Sequence, residues 1–371
     1  VCPHRRQKAL LRKKIPYLLG RLAPFLLIAL AFLMDINTSE QNRFDRFLIA
    51  APALAAVTWR VPGTLGVGAL AMALSAGLAL GRQAPATREV VGTELVLAAV
   101  TGAAAWASWV RQRREHELRE MTAVAEVGRR VLLRPMPPRL GTVALDLLYA
   151  SAATRAGIGG DFYEAARAPG GVRLMLGDVQ GKGLGAVETS SVLLGCFREA
   201  AYRVPDLPTL AERLELSMTR YGHRVPGSDA AERFATVLLA EIPDDRPVVR
   251  LLSCGHPAPL LLRPDGTVRN VDLPRPSPPV NLAALRTPDY HVEELPFGPG
   301  DRLLLYTDGV SETRDRADVF YPLADRLGQW HRQPGDELLS RLHADLTAYG
   351  GGLSDDIAAL LATRLPLDAD P

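Results

Sequence analysis

Val172-Arg173-Leu174-Met175-Leu176-Gly177-Asp178-Val179-Gln180-Gly181-Lys182-Gly183 sets the pattern for the rest of this chain. An apolar strand runs up to Leu176, Asp178 closes it, and a glycine-rich loop leads into a helix expected over Gly185–Tyr202. The loop is no phosphate-binding P-loop: Gly177-x3-Gly181-Lys182 is one residue too short, and Gly183 stands where Ser or Thr would bind Mg²⁺. What remains is a carboxylate at a strand end, next to glycines that let the backbone turn or approach closely.

Three other segments share that character. Gly159-Gly160-Asp161-Phe162-Tyr163 places an aspartate at the start of a strand. Tyr306-Thr307-Asp308-Gly309 places one at the end of a strand, and Ser354-Asp355-Asp356-Ile357 places two before the last strand. Neighbouring residues on an extended segment point to opposite faces, so only one of Asp355 and Asp356 is expected in a shared site. Carboxylates from separate strand ends make an oxygen-rich site for Mg²⁺ or Mn²⁺. A pair of such ions activates water and clamps a phosphoryl group.

Around these segments the pattern alternates between strands and helices. Strands are expected at Val143–Ala150, Phe162–Ala166, Val172–Asp178, Phe234–Ile242, Val248–Ser253, Ala258–Arg263, Val268–Asp272, His291–Leu295, Arg302–Thr307 and Ile357–Thr363. Helices are expected at Gly185–Tyr202, Leu207–His223, Leu323–Trp330 and Asp336–Tyr349. Consecutive strands with short connections predict antiparallel sheets with helices outside them.

The first 110 residues differ. A basic start (His4, Arg5, Arg6, Lys8, Arg12, Lys13, Lys14) precedes an apolar run from Ile15 to Met34. Further apolar runs cover Phe44–Trp59, Gly63–Leu80 and Val90–Val110. Spanning hydrocarbon takes ~20 residues. Four spans are expected, the second shortened by Asp45 and Arg46. The basic start and the Arg111, Arg113, Arg114 cluster both read as cytoplasmic, which an even number of spans satisfies. The loops between spans are too short for an external sensor domain. Residues 111–134 read as one helix leaving the membrane, stopped by Pro135, Pro137 and Pro138. Its positions Leu118, Met121, Ala125, Gly128 and Leu132 form either a homodimer seam or a face packed on the following domain. The domain division is thus 1–110 membrane region, 111–134 linker helix and 135–371 catalytic domain.

The formal net charge of +2 gives no footprint for nucleic acid. Cys2, Cys196 and Cys254 have no metal-binding or redox spacing and read as inert thiols.

Gly-Gly-Asp-Phe-Tyr, Gly-Asp-Val-x-Gly-Lys-Gly, Cys254-Gly255-His256-Pro257, Tyr-Thr-Asp-Gly-Val and Asp-Asp-Ile, in that order, resemble the sporulation-protein-E-type serine phosphatases. These are a bacterial branch of the metal-dependent, protein phosphatase 2C-like superfamily. The resemblance spans about Arg134 to Arg364. It implies an α+β fold, an α-β-β-α sandwich with a two-metal Mn²⁺/Mg²⁺ centre at one end, preceded here by an all-α transmembrane region. It implies hydrolysis of phosphoserine or phosphothreonine on a small regulatory protein of the anti-anti-sigma type. By the same resemblance Asp161 and Asp178 hold the metals, Val179 offers its backbone carbonyl, and Asp308 and Asp355 complete the second ion. Asp355 matches the ligand position better than Asp356. Gln180, Glu164 and Ala358 depart from the family pattern without removing a ligand. His256 is expected to order its turn. Two rival readings remain: a degenerate phosphatase fold acting as a scaffold, and a membrane sensor whose domain only relays shape.

Overall fold

The computed structural model describes residues 20–35, 45–81, 88–151, 159–224, 229–283, 289–353 and 355–366. Two compact units divide the chain, residues 1–120 and 121–371.

In the first unit, residues 20–35 form helix α1. A short 3-10 turn at Asp45–Ile49 leads into α2 (Ala50–Thr58). Trp59 is extended, which ends α2, and α3 (Val61–Gly81) starts two residues later with Pro62 in its first turn. Helix α4 runs unbroken over Arg88–Leu132, so the last apolar run and the expected linker are one helix. Two segments, Val61–Leu80 and Val90–Glu117, are long and apolar enough to cross a membrane, and Arg46–Thr58 is a shorter apolar helix. The expected run from Ile15 falls partly outside the described residues. Gly68 lets α3 approach α4, since a Cβ there would overlap the Thr101 side chain. The seam positions Leu118, Met121 and Ala125 have side chains outside the described set, as does the segment 82–87.

The second unit is an α-β-β-α sandwich. One sheet has the order β1-β2-β11-β10-β7-β8, from Arg139–Leu140, Val143–Ala150, Ile357–Arg364, Arg302–Tyr306, Leu260–Leu262 and Val268–Asn270. The other has the order β3-β4-β5-β6-β9, from Phe162–Ala168, Gly171–Val179, Ala235–Pro243, Val248–Cys254 and Glu293–Pro296. Every pairing between these strands is antiparallel. Helices α5 (Leu184–Arg203) and α6 (Leu207–Arg224) cover the second sheet. Helices α8 (Leu323–Trp330) and α9 (Gly335–Gly350) cover the first.

Three apolar layers result, and the central strands feed two of them at once. Val172, Leu174 and Leu176 of β4 face the other sheet, while Met175 and Val179 face α5 and α6. Likewise Ala358, Leu360 and Ala362 of β11 face inward, and Ile357, Ala359 and Leu361 face α9. Burial on both faces is why these strands are continuous apolar runs in the sequence rather than alternating ones. Arg173 sits among apolar residues of β4, bonds Glu241 (2.8 Å), and donates to the Ala201, Val204 and Pro205 carbonyls at 3.1, 2.8 and 2.9 Å. It thereby satisfies the unpaired carbonyls at the end of α5.

The end of α4 within this unit is also clasped. Arg198 of α5 pairs with Glu164 of β3 and donates to the Leu132 carbonyl at 2.6 Å. The Tyr163 hydroxyl donates to the Arg134 carbonyl at 3.3 Å. A Cβ on Gly128 would make ordinary contact with Val187 of α5, 3.7 Å away. Leu132 packs on the same valine. Of the two readings for this helix, packing on the domain is the one seen for Gly128 and Leu132. Glu164, a departure from the family pattern, has its reason in this clasp.

Candidate active site

Register alone brings the sequence's aspartates together. Phe162 pairs with Gly177, so Asp161 and Asp178, one residue beyond each, meet at one end of β3–β4. Tyr306 pairs with Ala359, which puts Thr307 and Asp308 beside the Asp355–Asp356 start of β11. Both pairs of strands open at the same end of the sandwich, where Asp161 and Asp178 both feel the charges of Asp308 and Asp356.

Gly160 is what allows the approach. A Cβ there would overlap the Val179 carbonyl oxygen and lie 2.8 Å from Asp178 Oδ1. Gly309 plays the same part on the other sheet, where a Cβ would collide with the Asp356 carbonyl. Asp308, read from the sequence as closing its strand, opens a single helical turn, α7 (Asp308–Ser311).

Electrostatics mark the cluster. Burial first, then the Asp178 charge, pushes the Asp161 carboxyl well above the usual carboxylate range, against the Thr307 hydrogen bond. Burial and then Asp308 raise Asp178 to about 7. Asp308 is raised by burial, then by Glu312 and Asp355, with Lys182 pulling the other way. A folded site that holds carboxylates in this unfavourable company is organised for positive charge.

The two adjacent aspartates behave differently. Asp356 is buried; it accepts from Ser151 Oγ at 2.9 Å and from the Gly159 backbone N–H at 3.0 Å, which ties β11 to the Gly159–Gly160 turn. Asp355 is half exposed, and its Oδ1 lies 2.7 Å from Lys182 Nζ. Lys182 is the only lysine after residue 14. It stands between Gly181 and Gly183, both at left-handed φ of 92° and 87°.

Three residues the sequence reading did not single out for this role hold the site. Thr307 is fully buried; its Oγ1 donates to Asp161 Oδ2 at 2.8 Å and accepts from the Ala358 N–H at 3.0 Å. Ser151 anchors Asp356. His256 orders its turn as expected, through Ser253 Oγ, and its ring does more. Nε2 lies 3.2 Å from the Tyr306 carbonyl and Nδ1 lies 3.0 Å from Thr236 Oγ1. A carbonyl only accepts, so Nε2 carries the proton and Nδ1 accepts from Thr236. The ring thus bridges β5 to β10, one sheet to the other, two residues before Asp308. Thr307 was legible in the sequence only as a polar residue at the end of an apolar strand.

Among the described residues no three His, Cys, Asp or Glu side chains already converge to hold one ion. In donor chemistry the cluster fits a hard divalent cation: carboxylate oxygens, the Val179 carbonyl, and the space kept clear at Gly160.

The family model described as Stage II sporulation protein E (SpoIIE) matches residues 168–365. This chain belongs to the SpoIIE family. The match contains Asp178, Val179, Asp308, Asp355 and Asp356 and begins after Asp161. The RsbU and RsbW domains of Rv1364c from Mycobacterium tuberculosis are 25% identical, with a TM-score of 0.51, covering 62% of this chain and 61% of that one. The chain therefore spans under two thirds of that relative. The SiaA-PP2C domain of Pseudomonas aeruginosa shares the fold at 19% identity and a TM-score of 0.54, covering 69% of this chain and 99% of that one. Residues 168–365 carry the SpoIIE-family match, and the sandwich around them has the fold of the SiaA-PP2C domain.

Proposed function

We propose that this chain is a membrane-anchored, metal-dependent protein serine/threonine phosphatase acting on a phosphorylated regulatory protein of the anti-anti-sigma kind. The observation that carries the reading is the cluster of carboxylates from four separate segments at one end of the sandwich, in a SpoIIE-family chain. Asp161, Asp178, the Val179 carbonyl, Asp308 and Asp355 would hold two Mn²⁺ or Mg²⁺ ions. Asp356 is the structural partner that fixes the Gly159–Gly160 turn. Such ions supply an activated water and offset phosphoryl charge.

The chain's own residues support this division of labour. Thr307 fixes Asp161 by a hydrogen bond to a buried carboxylate. Cys254 is buried and its thiol is pushed up to about 12, so it stays protonated and is no nucleophile. His256 is held neutral by burial, to about 4, with both ring nitrogens engaged, so it supports structure rather than acid–base chemistry. The RsbW domain that accompanies RsbU in the M. tuberculosis relative supports a regulatory-protein partner. For the membrane region, Val61–Leu80 and Val90–Glu117 supply candidate spans. The large apolar side chains exposed on these helices, such as Leu70, Leu80, Leu95 and Trp106, supply a lipid-facing surface. The arginines after Val110 support a cytoplasmic phosphatase domain. With Gly128 and Leu132 packed on the domain, Leu118, Met121 and Ala125 of residues 111–134 are the candidate seam of a homodimer.

The test is hydrolysis of a phosphoserine protein by the full chain in detergent. Turnover with Mn²⁺, its loss in EDTA, and its loss in Asp308→Asn are expected. Turnover undiminished in excess EDTA removes the metal-dependent reading. A folded wild-type chain inactive with either ion favours the scaffold reading, which the Lys182–Asp355 pair supports.

A further inference from the structure

Several joints of the first unit lie at one level. Thr58 Oγ1, at the end of α2, donates to the Gly20 carbonyl at the start of α1 (3.2 Å). Trp59 Nε1 donates to the Arg21 carbonyl (3.2 Å). From α4, Ser108 Oγ and Arg111 Nη2 both donate to the Trp59 carbonyl, at 2.8 and 2.7 Å. So the start of α1, the α2–α3 joint and the point where α4 turns from apolar to charged coincide. Trp59 at such a level is the residue type that membrane–water interfaces favour.

A polar cavity of about 720 Å³ opens at that level. Arg21, Arg60, Arg111 and Arg119 line it, with His116 and a single carboxylate, Glu115. Glu115 pairs with Arg111 at 2.9 Å and lies 3.6 Å from Arg119. Arg60, Arg111 and Arg119 outnumber the one carboxylate in the lining, so the lining is basic. Among the described residues Arg111 Nε is buried with no hydrogen-bond partner, which leaves one of its donors unspent. The arginines come from α1, the α2–α3 joint and two turns of α4, so helix packing, not a local run of sequence, gathers them. Guanidinium forks match phosphate oxygens.

We propose that this cavity binds the phosphate headgroup of an anionic phospholipid. The proposal rests on the membrane reading above. Position decides the source of the phosphate: the lining begins where the apolar helices end, which is headgroup depth. Among the described residues Arg60 and Arg119 make no hydrogen bond across helices, so they can be removed without loosening the joints.

The experiment uses the full chain in nanodiscs of phosphatidylcholine with a minor share of phosphatidylglycerol, followed by detergent extraction and native mass spectrometry of retained lipid. Wild type is expected to retain phosphatidylglycerol over phosphatidylcholine. Arg60→Ala/Arg119→Ala is expected to lose that preference by roughly ten- to thirty-fold, at about a five-fold factor for each arginine near an anionic headgroup. Arg113→Ala/Arg114→Ala, on the same helix but outside the cavity, is expected to keep it. Equal loss in both variants means a diffuse basic surface and overturns the proposal. So does displacement of the lipid by millimolar inorganic phosphate, which makes the site one for soluble anions. Unchanged retention in Arg60→Ala/Arg119→Ala overturns it as well. A chain recovered outside the membrane fraction fails the membrane reading itself, and the proposal falls with it.

Discussion

Asp178→Asn is expected to stabilise the metal-free protein while abolishing its chemistry. Asp178 is partly buried beside Asp161, Asp308 and Asp355, and these surroundings raise it from 3.8 to about 7. The folded state therefore holds a proton that the unfolded chain releases between about pH 4 and pH 7. Metal-free stability falls as pH rises through that window, and the penalty is complete above pH 7. About three units at about 1.36 kcal/mol each give a ceiling of about 4 kcal/mol. Solvent access and sharing of the titration with Asp161 and Asp308 reduce this to about 2–3 kcal/mol. The amide keeps the shape and removes the charge. For a domain of this size the gain is roughly 5–10 °C in Tm. The assay is scanning calorimetry of the full chain in detergent and EDTA, at pH 5 and pH 8, variant against parent. The variant should melt higher at pH 8, and at pH 5 by only about a third of that margin. Adding Mn²⁺ should raise the parent's Tm and leave the variant's unmoved. A variant that melts at or below the parent at pH 8 in EDTA refutes the idea that the cluster stores unfavourable charge.

Thr307→Val keeps the side-chain shape and deletes the bonds to Asp161 and Ala358 N–H. It should cost about 2–3 kcal/mol of stability and at least ten-fold in turnover, with Thr307→Ser restoring both; an active, stable valine variant refutes a positioning role. Lys182→Met removes the cation on Asp355, in a pair that is 39% and 48% exposed. Calorimetric Mn²⁺ affinity should rise, by at most about five-fold for so exposed a pair; no change means the ammonium does not compete. His256 is held neutral, at about 4, so stability is lost as pH falls from about 6.5 towards 4. His256→Gln should flatten that acid limb, by up to about 3 kcal/mol, and a limb of unchanged depth in urea titrations assigns it to other groups.

The sandwich was legible because its signals are local. Apolar runs of strand length, closed by Asp or Gly, marked the central strands to within a residue or two at most ends. Leu323–Trp330 and Val143–Ala150 are the elements read from the sequence. The two-residue β1 carried no periodicity to find, and α7 is one turn opened by Asp308, too short for a helical pattern. The run Val90–Val110 and the linker merged into one helix because nothing between them breaks it, and a charge boundary is not a helix end.

The sequence by itself marked the aspartates at the ends of apolar strands, since strand ends and glycines are written residue by residue. Only tertiary structure decided what surrounds them. The split between Asp355, facing Lys182, and Asp356, buried on Ser151 and the Gly159 N–H, follows from contacts more than 170 residues apart in the chain. The same holds for Thr307 under Asp161 and for His256 between the sheets. So too for the arginines gathered from three joints at the end of the apolar helices. Hydrogen bonds of this kind depend on angle and distance between segments that only packing brings together, and no local pattern in the chain encodes them.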